Sequence, residues 1–122
     1  MWKITKAETN GGEPVAVVSG DVIRDVRDAL DMMANVRYET SLDRIVIDGT
    51  MLDAAFYDLK TRLAGEIAQK FVNYQVKLAI VGDFSGYTSK SLRDFIYECN
   101  QGKDLFFLPT ESQAIEKLGA TR

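Results

Sequence analysis

The stretch AGEIAQKFVNYQVKLAIVGDF, residues 64–84, decides the fold of this chain. Its first half places Ile67, Phe71 and Tyr74 on one side of a helix, at spacings of four and three. A tight turn follows. Val76 to Val81 (VKLAIV) then runs apolar, interrupted only by Lys77. A strand without polar alternation belongs in the covered centre of a sheet, with helices packed on it. Helix, turn and buried strand ending in Gly82-Asp83 make half of a parallel crossover, and so imply α/β architecture.

The rest of the chain extends this unit in both directions. The helical pattern reaches back to about Ala54, so that Phe56, Leu59, Leu63, Ile67, Phe71 and Tyr74 share one face over residues 54–74. RIVID, Arg44 to Asp48, is a second buried strand, and LFFL, Leu105 to Leu108, a third. Thr88 or Ser89 caps a helix through Asn100, which Gly102 terminates. Thr110-Glu-Ser-Gln113 is a capping box that opens a last helix to Leu118. Near the N-terminus, Trp2 to Glu8 and Pro14 to Val18 flank Asn10-Gly11-Gly12 and read as an antiparallel hairpin. Asp21 to Asn35 carries Val22, Val26, Ala29, Leu30 and Met33 at helical spacing, with Asp21 or Asp25 as the cap. Residues 21–24 fit either that helix or an extension of the sheet. The order is β-β-α-β-α-β-α-β-α. It predicts one domain over residues 1–122, with a mixed sheet of about five strands, a parallel core, an N-terminal hairpin and about four helices. The strands 44–48, 76–81 and 105–108 are expected side by side and parallel, joined by right-handed crossovers.

Composition limits the function classes. A chain of 122 residues with 46 % hydrophobic residues is long enough to bury a proper core. The net charge of −3 and the lack of a clustered basic face argue against nucleic acid as a partner. No run approaches the roughly 18 apolar residues of a membrane span. The segment MWKITKAETNGGEP lacks the apolar core of a signal peptide. Cys99 is alone and cannot make an intrachain disulfide. Cytoplasmic location is the expectation. There is no histidine to activate a nucleophile. No catalytic residue, metal site or cofactor is therefore assigned.

The element order resembles the STAS domain, the fold of bacterial anti-sigma-factor antagonists. The run DLKTRLAGEIAQKFVNYQVKLAIVGDFSGYTSKSLRDFIYECNQG, residues 58–102, is closer still to a bacterial family, domain of unknown function 4180. That likeness extends from Asp28-Ala29-Leu30-Asp31 to the C-terminus. Arg62 stands where the family pattern leads one to expect a glycine. The resemblance implies a STAS-like fold and brings no activity or site residues. In phosphorylated STAS switches, a strand ending in Asp is followed by Asp-Ser, and the serine takes the phosphate. Here RIVID ends at Asp48 and the matching place is Asp53-Ala54. Alanine has no hydroxyl, so the usual switch is absent; Thr50, close by, would have to substitute.

Two sets of residues are candidates for function. Asp48 and Asp83 each end a parallel strand, and open parallel sheets bind ligands outside the carboxyl ends of their strands. With Thr50 and Ser85 they form a candidate ligand-binding edge, although an aspartate there also commonly caps the loop that follows. GDFSG, residues 82–86, is too short for a phosphate loop and lacks its lysine. The second set is a strip of small apolar residues, Ala64, Gly65, Ala68 and Val72, next to the face expected to meet the sheet. It is a candidate interface for a protein partner or a second copy of the chain. Lys70 falls near the centre of the apolar face, with Glu66 four residues before it in the favourable order for an ion pair. Tyr87, Tyr97 and Phe106-Phe107 read most simply as core and rim aromatics.

Two functions compete. The first, and preferred, is a non-enzymatic regulatory or protein-interaction module of STAS-like type, acting as a homodimer or on a partner. The second is a small-ligand-binding domain or enzyme with its site near Asp48 and Asp83. A concave pocket between those aspartates would favour the second. A flat, exposed apolar patch would favour the first.

Overall fold

Five strands lie in a single sheet in the order of the sequence, as seen in a computed structural model that describes residues 1–121. They are β1 (Lys3–Ala7), β2 (Val15–Ser19), β3 (Arg44–Asp48), β4 (Lys77–Val81) and β5 (Leu105–Leu108). β1 and β2 form the antiparallel hairpin, and β2 to β5 run parallel. The three strands expected side by side are so placed. The helices are α1 (Val26–Thr40), α2 (Ala54–Tyr57), α3 (Leu63–Asn73), α4 (Lys90–Gln101) and α5 (Glu111–Ala120).

The period of two along each strand divides the core between two faces. Ile45, Ile47, Leu78, Ile80, Leu105 and Phe107 point one way and join Met32, Phe56, Ile67 and Phe71 from the helices of the crossovers. Val15, Val46, Ala79 and Phe106 point the other way, where Ala114 and Leu118 of α5 cover them. Each valine, leucine, isoleucine, methionine or phenylalanine among them contributes about 1.5–3 kcal/mol on full burial. The hairpin turn is fastened to the end of α5, where Glu13 N–H donates to the Gly119 carbonyl at 3.0 Å. A Cβ on Gly119 would stand 2.6 Å from the Thr9 side chain, so glycine is what allows the turn to seat.

Two expectations need correction. Residues 54–74 are not one helix. Asp53 caps α2 by accepting from Ala55 N–H, and Asp58 starts a short 3-10 turn (Leu59–Thr61) by accepting from Lys60 N–H. Arg62 then adopts the left-handed conformation, φ 66°, and α3 begins after it. The position where a glycine was expected is thus the one at which the chain turns left-handed. A helical wheel drawn across this break does not hold: Phe56, Leu63, Ile67 and Phe71 are buried, but Tyr74 lies at the α3 C-cap, half exposed.

Residues 21–24 are neither helix nor an added strand. Ile23 makes one isolated parallel bridge to Leu52, through Ile23 N–H to Met51 O (2.7 Å) and Asp53 N–H to Ile23 O (3.0 Å). Asp25, rather than Asp21, caps α1 by accepting from Asp28 N–H, and α1 continues past Asn35 to Thr40. Asp21 accepts instead from the N-terminal amine at 2.9 Å.

Candidate functional site

Strands β3 and β4 are neighbours with Asp48 opposite Val81, so both chains leave the sheet on the same edge. Each builds the same local turn there. Asp48 Oδ1 accepts from Thr50 N–H (2.8 Å) and from Thr50 Oγ1 (2.6 Å). Asp83 Oδ1 accepts from Ser85 N–H (3.0 Å) and from Ser85 Oγ (2.6 Å). The hydroxyl bonds, followed by the backbone bonds, hold both carboxyls below their ordinary value, so both are ionised at neutral pH. Neither takes part in an ion pair among the described residues.

Between the two turns lies a cavity of about 300 Å³ whose lining includes Asp48, Thr50, Ala54, Tyr57, Asp83, Phe84 and Tyr87. Its wall is aromatic. Tyr57 stacks on Tyr87 with ring centres 5.1 Å apart and lies 6.1 Å from Phe84, which meets Phe107 edge-on at 5.2 Å. The Tyr57 hydroxyl donates to the Gly49 carbonyl at 2.7 Å, and burial raises its pKa well above the usual phenol value, so it remains a neutral donor. A Cβ on Gly49 would come within 2.9 Å of that hydroxyl, and one on Gly82 within 3.2 Å of the Phe84 ring. Glycines at the ends of both strands therefore make room for the aromatic wall.

Asp48, Thr50 and Asp83 line this cavity together; Ser85 supports Asp83 and is not in the wall. Tyr57 and Phe84, which the sequence does not mark as site residues, belong to this wall, and so does Tyr87, there a rim aromatic. The signal that could have found them is the pairing of Gly49 and Gly82 with rings within eight and two residues. The strip on α3 is not a single surface. Ala64 is fully buried in the protein's own core, Ala68 packs at its margin, and Gly65 and Val72 are exposed. Lys70 is half-buried, and Glu66 makes no ion pair with it. The half-buried Cys99 thiol is pushed up to about 11, chiefly by burial, and stays protonated and inert.

A larger cavity of about 420 Å³ lies at the other end of the sheet, between the hairpin turn and α5. Its arginine, Arg44, donates to the Leu118 and Thr121 carbonyls and so serves as the C-terminal cap of α5. Among the described residues no three His, Cys, Asp or Glu side chains gather as a metal would require, and no helix is long and apolar enough to cross a membrane.

Fold and pocket together define an α/β domain with a mostly parallel open sheet and a small cavity outside the carboxyl ends of two central strands. The sequence profile of the family described as domain of unknown function (DUF4180) matches residues 10–118, and the chain belongs to that family. The match starts at the hairpin turn, upstream of Asp28, and so includes β2. No curated protein and no solved structure matches the chain.

Proposed function

We propose that this domain is a non-enzymatic, STAS-like regulatory module of the bacterial cytoplasm, and that it works by taking a small ligand at the carboxyl edge of β3 and β4. The observation that carries this reading is the cavity shared by Asp48 and Asp83, with Tyr57, Phe84 and Tyr87 as its wall. At about 300 Å³ it is at the small end of ligand pockets, which run from roughly 300 to 1,000 Å³. Ala54, at the first position of α2, offers no hydroxyl for phosphorylation, so ligand occupancy takes the regulatory place of a phosphate. A mixed fragment library observed by saturation-transfer NMR tests the reading. Hits on the wild type should vanish in Ala54→Trp, which fills the cavity from an exposed position. An absence of hits, or hits that survive the substitution, would refute it.

A second reading, contact with a protein partner or a second copy, has its own support. A groove between α1 and the end of α3 is lined by Leu30, Met33, Ala34, Arg37 and Tyr74. Tyr38 on α1 is 90 % exposed and Val72 on α3 is 45 % exposed. Light scattering decides the self-association part: a dimer supports it, and a monomer at high concentration removes it.

A further inference from the structure

We infer that the ligand of the β3/β4 pocket is a small organic cation, an ammonium or guanidinium carried on a short apolar body. The inference rests on the pocket being a ligand site and adds the charge and shape of what enters. The walls contain two ionised carboxylates and no lysine, arginine or histidine. An anion entering there meets repulsion from both aspartates without compensation. The helical turns that start beside it, the 3-10 turn Gly49–Met51 and the one-turn α2, are too short to offset this.

A hard divalent cation fits poorly as well. Calcium takes six to eight oxygen ligands, usually with several carboxylates among them. Here two carboxylates are available, and Oδ1 of each is engaged by a hydroxyl and a backbone N–H.

A diffuse organic cation matches what remains. It needs no close coordination shell, its charge is satisfied by the free edges of Asp48 and Asp83, and its body lies against ring faces. Aromatic faces attract such cations within about 6 Å, tyrosine among them. Tyr57 and Tyr87, stacked on one another, line the cavity with Phe84, and an outer ring face of this group is what such a cation would meet. Such a head group occurs on a free amine metabolite or on an arginine or lysine side chain of a partner protein.

Isothermal titration calorimetry of the full chain separates the possibilities, with agmatine, N-acetyl-arginine methylamide, benzoate and calcium chloride as probes. Agmatine should bind, and added salt should weaken it. Asp48→Asn and Asp83→Asn should each lower its affinity by about fivefold, the upper end for an ion pair in contact with water. Asparagine keeps the Oδ1 acceptor for Thr50 or Ser85, so the turns persist, and a cooperative melt lowered by no more than a few degrees checks this. Tyr87→Leu should weaken binding without moving the charge. Tighter binding of agmatine than of the blocked arginine supports a free amine; the reverse supports a partner's side chain. Benzoate binding as tightly as agmatine would overturn the cationic class while leaving the pocket a ligand site. Calcium displacing agmatine at equal concentration, or Asn variants that bind as well as wild type, would also overturn it. No binding by any probe, together with no hits in the fragment library, would remove the pocket itself.

Discussion

Arg62→Gly should make this protein more stable. Arg62 sits at φ 66°, ψ 3°, between the 3-10 turn and α3, and its side chain caps nothing. It is exposed and joins no ion pair among the described residues. A non-glycine residue in the left-handed region costs about 1–2 kcal/mol. Glycine removes that cost but adds about 0.4–1 kcal/mol of unfolded-state entropy. The expected net gain is about 0.5–1 kcal/mol, or a rise in melting temperature of about 2–4 °C for a domain of this size. Calorimetry or urea denaturation measures it. Arg62→Ala is the control, because alanine keeps the left-handed penalty and should show no gain. If the glycine variant is less stable, or alanine gains as much, the side chain rather than the backbone governs this position, and the explanation of the broken helix fails.

Three further outcomes are expected. Asn100 covers the open edge of β5, donating to Phe107 O (3.1 Å) and accepting from Phe107 N–H (2.7 Å). Asn100→Ala should cost about 1–3 kcal/mol for the unpaired backbone groups and promote self-association along that edge, read by urea midpoint and light scattering. Gly119→Ala should destabilise by about 1–3 kcal/mol through collision with Thr9, and a second change, Thr9→Gly, should restore most of it in thermal melts. Asp48 has its carboxyl held below the ordinary 3.8, first by the Thr50 hydroxyl and then by the Thr50 N–H. Its stabilisation is therefore complete above that value and lost as pH falls below it. Asp48→Asn should flatten this part of the acid loss, as urea midpoints across the acid range will register.

The parallel core was legible because it is local. RIVID, VKLAIV and LFFL are near-continuous apolar runs separated by helix-length segments, and such runs have few places to go except a covered sheet. The caps were legible for the same reason: Ser89 and Thr110 accept from the backbone within three residues. The break at Arg62 was not read as a break, because arginine is a good helix former and nothing in its own chemistry announces a positive φ. Only its standing in place of an expected glycine pointed there. The extra turn of α1 carries only one more residue of the apolar face, the buried Val36, before the exposed Tyr38, and that single residue is too little periodicity to mark a turn. At the site, Asp48 ends β3 as expected and Asp83 lies two residues past the end of β4, and both could be placed because a parallel register brings the strand ends together. The aromatic wall could not, because Tyr57 reaches Gly49 through a hydroxyl contact that no periodicity encodes.

The central claim is that the cavity between Asp48 and Asp83 is where this domain meets its ligand. The most direct measurement is a titration of the isotopically labelled protein with agmatine and with the hits of the fragment library, followed through its backbone amide resonances. Saturable shifts concentrated in residues 48–57 and 81–87 are the expected result. Shifts centred on the groove of Leu30, Met33 and Tyr74, or no saturable shift at all, would contradict it.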